Sequence, residues 1–134
     1  MRSALDARVG MAYSVQTMRH ERLLDIASGV AISRAANRKI NFRHGCAAMR
    51  YDGKIVTAYN EMAMEPQWKA HAEARVCRKI DVSAIVAVVR VGADGKWANS
   101  KPCEGCMRCM RRRGVERVLY SIGPNEFGTI LIDR

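Results

Sequence analysis

The sequence predicts an α/β fold, a three-layer α-β-α sandwich around a five-stranded mixed sheet, and three observations lead there. Hydrophobic periodicity gives the element order α-β-β-α-β-α-β-β along 134 residues. The run Ala84-Ile85-Val86-Ala87-Val88-Val89-Arg90-Val91 is β-branched and almost wholly apolar, as a central strand covered on both faces should be. The last two strands are separated only by Ile122 to Gly128, too short for a crossover helix, so they are expected to be antiparallel.

Each element has a local reason. Ser3-Ala4-Leu5-Asp6 has capping-box spacing and opens a short first helix. A longer helix is expected from about Ser14 to Ala36, with Val15, Met18, Leu23, Ile26, Ala27 and Val30 at helical spacing and Gly29 as an interruption. Cys46 to Tyr51 and Lys54 to Tyr59 read as strands joined at Asp52-Gly53, because Gly accepts the positive φ of a tight hairpin turn. Asn60 to Lys69 is a loop, and a helix from His71 to Lys79 follows it. After the central strand, Ala93-Asp94-Gly95-Lys96 is a turn. A helix then starts near Cys103 and stops at Gly114, and strands Glu116 to Ser121 and Thr129 to Asp133 close the chain.

Bulk properties bound the function. There is no repeat, low-complexity tract or linker, so residues 1–134 are read as one domain. No apolar run reaches the length of a membrane span, so a membrane partner is not expected. The first residues carry no apolar signal core, and the five cysteines are an odd number; a metal site in a reducing cytoplasm is expected rather than a disulfide framework. A net charge of +10 favours phosphate-bearing partners, and its densest cluster is Arg108 with Arg111-Arg112-Arg113 and Arg117. A solvated helix face explains that cluster equally well.

The chemistry is concentrated in His71-Ala72-Glu73 and Pro102-Cys103-Glu104-Gly105-Cys106. Imidazole and thiolates are good zinc ligands, and Cys103 and Cys106, three apart at a helix N-terminus, can turn both sulfurs to one point. The positive end of the helix dipole favours their thiolates. Three protein ligands leave a fourth position for water, which is the pattern of a catalytic site. Glu73, two residues from His71, can face that position instead of the metal and act as a proton carrier. A structural site with Cys109 as fourth ligand is the competing reading, although three cysteines at this spacing splay beyond one tetrahedron. Cys46 and Cys77 read as small buried hydrophobes and His20 as a surface residue. His44 is either a pocket wall or a structural histidine, and Tyr59 and Trp68 are more often core-edge aromatics than stacking platforms.

His-x-Glu followed by Pro-Cys-x-x-Cys is the signature of zinc-dependent nucleobase deaminases. From about Phe42 to Ile132 the chain resembles the cytidine deaminase superfamily, in Phe42 to Ala48, Tyr59-Asn60, His71-Ala72-Glu73 and Lys101 to Cys106. The resemblance implies the cytidine deaminase-like fold, with Zn2+ on His71, Cys103 and Cys106 and Glu73 as the catalytic proton shuttle. It further implies substrate contacts from Phe42, Asn60 and the Ala72 backbone, and if the positive charge binds a single phosphate, one of Arg43, Lys101 or Arg108 is the candidate contact. It implies hydrolysis of cytosine to uracil and ammonia on a free nucleoside or nucleotide, by a homo-oligomer. The free-nucleoside enzymes usually have Cys at the His71 position and a spacer between the residues matching Asn60 and Glu61. The histidine form is typical of deoxycytidylate, tRNA and polynucleotide deaminases. Action on cytosine or adenine within single-stranded nucleic acid or tRNA is therefore the alternative, and a non-catalytic zinc-stabilised nucleic-acid-binding module the third reading.

Overall fold

A computed structural model describes residues 4–33, 43–60, 71–80, 82, 84–92 and 94–132, with side chains from Met18 onward. The elements are α1 (Ala4–Ser33), β1 (Arg43–Met49), β2 (Ile55–Tyr59), α2 (Ala72–Val76) continued by a 3-10 turn (Cys77–Lys79), β3 (Ile85–Val91), β4 (Trp97–Ala98), α3 (Glu104–Arg113), β5 (Arg117–Gly123) and β6 (Glu126–Leu131). The sheet order is β2-β1-β3-β5-β6, with β4 paired to β3 off this path. β3 and β5 are parallel, joined across α3, and every other pairing is antiparallel.

The architecture is the expected α-β-α sandwich, and alternation along the strands builds its two cores. Odd-numbered Ala47, Ala87, Val89, Val91 and Leu119 meet Leu23, Leu24, Ala27 and Ala31 of α1. Even-numbered Cys46, Ala48, Val86, Val88 and Val118 meet Val76, Cys77, Cys106 and Met110 of α2, its 3-10 turn and α3. Central β3 is buried on both faces from Val86 to Val89, as its composition predicts. α1 lies close on β1 because Gly45 has no side chain: a Cβ there would overlap the Ala27 carbonyl oxygen and the Ala31 nitrogen.

Several boundaries differ from the sequence reading. One helix of 30 residues replaces the short first helix and the separate longer one. Gly29 is accommodated within it, on an exposed face with open space around its Cα. The expected end at Ala36 lies outside the described residues. Among the described residues the sheet has six strands rather than five. After β3 the chain turns back, with Gly92 N–H donating to the Lys96 carbonyl (2.9 Å) and Gly95 N–H to that of Gly92 (3.0 Å). This lays Trp97 and Ala98 against Val91 and Arg90 as β4. Trp97 Nε1 donates to Ser28 Oγ on α1 at 3.0 Å, which ties this short strand down. The last hairpin is antiparallel as expected, but its strands extend inward until only Pro124 and Asn125 connect them, Asn125 at φ 59°. His20 is half-buried rather than a surface residue, and its Nε2 is shielded with no hydrogen-bond partner among the described residues.

Candidate metal centre and active site

His71 stands at the N-cap of α2, with extended backbone, and its carbonyl accepts from Arg75 N–H at 3.0 Å. Cys103 holds the same position on α3, and its sulfur accepts from Cys106 N–H at 3.4 Å. Pro102 is buried just ahead of it, which suits the turn into a helix. At the other end of α3, Gly114 adopts φ 75°, and its N–H and that of Val115 return to the Arg111 and Met110 carbonyls. Both helix starts point into the same space on the α2/α3 face of the sheet.

There His71, Cys103 and Cys106 form a group that could hold a metal ion. His71 Nδ1 is 3.6 Å from Cys103 Sγ and 3.4 Å from Cys106 Sγ, and the sulfurs are 3.2 Å apart. Ligands on a tetrahedral zinc at about 2.3 Å for sulfur and about 2.0 Å for nitrogen lie roughly 3.5–3.8 Å from one another. The triangle therefore fits zinc after a small widening between the sulfurs. Burial, then the neighbouring Glu73 carboxylate, pushes the Cys106 thiol far above its ordinary range, and a divalent cation among the three donors would reverse that balance. Cys109 stands apart from the group and packs against the core cluster that holds Cys77, which is buried as expected.

Glu73, on the first turn of α2, is only 5% exposed. Its carboxylate lies close enough to Cys106 and His71 for both to act on its protonation, which sets it beside the donor triangle. Burial raises its pKa, offset in part by its backbone N–H, by His71 and by Cys106. A carboxyl whose charged form is disfavoured by burial takes up a proton more readily than a solvated one. Cys46 closes the floor beneath it, fully buried, its thiol pushed up by burial and then by Glu73.

Beside the triangle the sheet supplies a polar row. Asn60, His44 and Arg90 are cross-strand neighbours: His44 N–H donates to Asn60 Oδ1 at 2.9 Å, and His44 pairs in register with Arg90. His44 is held neutral down to about 4, chiefly by burial and then by the charges of Arg90 and His71. Arg75 leaves the other side of α2, its guanidinium donating to the Tyr59 carbonyl at 2.6 Å and stacking on the Tyr59 ring 4.5 Å from its centroid. That ring is thus engaged by a cation from α2.

The approach to Cys103 is fixed by two buried serines. Ser100 Oγ donates to the Val88 carbonyl at 2.8 Å and accepts from Ser121 N–H at 2.9 Å. Ser121 Oγ donates to the Ala98 carbonyl at 2.6 Å and accepts from Arg90 N–H at 3.1 Å. This strut links β3, β4 and β5 just before Lys101-Pro102-Cys103.

The sequence-based site residues fall out as follows. His71, Glu73, Cys103 and Cys106 converge, and Ala72 is buried at the start of α2 between the two that it separates. Asn60 stands at the edge of the site, pinned to β1 by its side chain. Lys101 is exposed, with no contact to the triangle among the described hydrogen bonds. Phe42, Glu61 and Trp68 lie outside the described residues. Arg90, Ser100 and Ser121 were not singled out from the sequence; the interruption of an apolar run by Arg90 was the one available signal.

No family model and no curated protein matches this sequence. Among solved structures, the chain is similar to cytidine deaminase from Burkholderia pseudomallei, with a TM-score of 0.59 and 18% identity over 84% of this chain and 91% of the other. It is also similar to a point mutant of cytidine deaminase from Mycobacterium tuberculosis, with a TM-score of 0.50 and 20% identity over 81% and 97% of the two chains. The protein therefore has the cytidine deaminase-like fold. At these identities the likeness is one of fold.

Proposed function

We propose that the protein is a zinc-dependent hydrolytic deaminase that converts cytosine to uracil with release of ammonia on a free nucleoside or nucleotide. The observation that carries this reading is the buried Glu73 carboxylate beside the His71, Cys103 and Cys106 triangle, in a cytidine deaminase-like fold. A zinc ion on those three donors would supply a Lewis acid and a supply of activated water. The remaining chemistry belongs to side chains. Glu73 takes a proton from the water that attacks C4 of cytosine and delivers it to ring N3. It then passes a proton to the departing amino group, so that cytosine and water become uracil and ammonia.

Orientation falls to residues at the rim. The Ala72 backbone N–H is assigned to the base carbonyl, Asn60 to the sugar and Phe42 to the face of the base, and Lys101 is a contact for a phosphate. Neutral His44 next to Arg90 gives the pocket a wall with a donor, an acceptor and one fixed positive charge.

The test is an ammonia-release assay on zinc-loaded protein across cytidine, deoxycytidine, their monophosphates, adenosine and guanine. Turnover is expected with the cytosine compounds. Turnover of a purine alone, or none by a fully loaded protein, contradicts the reading. Replacing Cys103 with Ala is expected to remove metal and activity together.

A further inference from the structure

One stripe of α3 carries Gly105, Arg108, Cys109 and Arg112, spaced i, i+3, i+4 and i+7, with Arg108 and Arg112 exposed and Cys109 packed on the edge of the core. With Arg113 these residues line a surface cavity of about 370 Å3. Arg108, Arg112 and Arg113 are exposed, and among the described residues none of the three is in an ion pair. The helix dipole accounts for basic residues in the last turn, Arg111 to Arg113, but not for Arg108 one turn after Cys106. Three guanidinium groups around one cavity repel each other, and a cavity walled by one sign of charge concentrates counter-ions of the other. Guanidinium is the side chain best matched to phosphate oxygens.

We propose that this arginine-lined cavity binds the phosphate backbone of a single-stranded nucleic acid. A strand fits better than a lone phosphate because the cations are strung along the helix rather than gathered into an enclosed pocket. Arg108 and Arg112 are separated by about 6 Å of helix rise, so that successive phosphates can be engaged. The stripe starts at Gly105, between Cys103 and Cys106 of the donor triangle in sequence. The choice of single strand over duplex rests on the deaminase reading, since a stacked and paired base cannot enter such a site. With no stacking aromatics lining the cavity among the described residues, affinity should come mainly from charge and decay steeply with salt.

The test is fluorescence anisotropy of a labelled, short single-stranded oligonucleotide against zinc-loaded protein over roughly 50–200 mM salt. The double variant Arg108→Gln/Arg112→Gln is compared with Arg19→Gln/Arg22→Gln, which removes equal charge from exposed positions of α1 on the opposite layer. All four positions are exposed, so both variants should keep the wild-type thermal midpoint. The expected result is weaker binding by the α3 variant, with a log–log salt slope shallower by about 1.4, or about 0.7 for each lost contact. An equal loss in both doubles, or no loss in either, overturns the proposal. So does a duplex that binds as tightly as the single strand, or a mononucleotide whose binding is weakened by the α3 variant as much as that of the single strand. Because binding is read without turnover, absent ammonia release would count against the deaminase reading and leave this one standing.

Discussion

Glu73 is buried and His44 half-buried next to the donor triangle, yet burial acts on them in opposite directions, raising the carboxyl and lowering the imidazole. For His44 the consequence can be measured. The unfolded chain takes up this proton near pH 6.5, while the folded protein refuses it until about 4. Its folded pKa is depressed, so stability is intact above the unfolded value and is lost as pH falls from about 6.5 to about 4. The loss is on the order of 3 kcal/mol. Urea unfolding across that window should show a clearly flatter pH dependence for His44→Gln than for the wild type; identical slopes would mean that His44 is not held neutral. At this scale, sequence was informative where chemistry is local. His71 and Glu73 share a helical turn, as do Cys103 and Cys106, so their spacing alone foretold a common focus. His44 and Arg90 meet only through the register of β1 on β3, which one-dimensional spacing does not encode.

Elements position the site through two close approaches. α1 reaches β1 only because Gly45 lacks a Cβ, and the atoms that a methyl would strike are backbone. Gly45→Ala should therefore cost stability at or above the upper end of the ~1–3 kcal/mol typical of overpacking, read as a lowered denaturation midpoint. A neutral outcome would mean that α1 sits farther from the sheet. On the other side, Ser121→Ala removes the hydroxyl that serves Arg90 N–H and the Ala98 carbonyl. Unsatisfied groups of this kind cost roughly 1–3 kcal/mol. Because the strut precedes Cys103, zinc should also be surrendered faster to a competing chelator; unchanged metal loss would separate the strut from the site. Element type was legible from period and turn chemistry: Asp52-Gly53 does form a hairpin turn, with Gly53 at φ 86°, and Gly114 does end α3. β4 was not, because two residues show no period and Trp97-Ala98 is a strand only through its pairing with β3 and the Trp97 bond to α1. The inward extension of β5 and β6 escaped notice for a related reason. Gly123-Pro124-Asn125 and Gly128 read as loop, whereas cross-strand bonding carries Gly123 and Gly128 into the sheet.

At the scale of the whole molecule, the donor triangle joins two separate helices, α2 and α3, across the even-numbered core. Metal that binds only the folded chain adds stability, about 4 kcal/mol at a free concentration a thousand times its dissociation constant. Stripping zinc should thus lower the calorimetric midpoint of the wild type and leave that of a His71→Ala, Cys103→Ala double variant unmoved; equal responses would place the metal elsewhere. The antiparallel last hairpin was inferable from its connection length, which has no room for a helix, whereas the parallel pairing of β3 with β5 was not assigned from the sequence. The central claim is that Glu73 carries protons at a zinc site it does not itself build. Its most direct test is ammonia release from cytidine by wild type and Glu73→Gln at matched zinc content, with zinc counted on the same samples. The account predicts full zinc in both proteins and a fall in turnover of at least about a hundredfold in the variant. Turnover that survives the substitution, or zinc that leaves with the carboxylate, would contradict it.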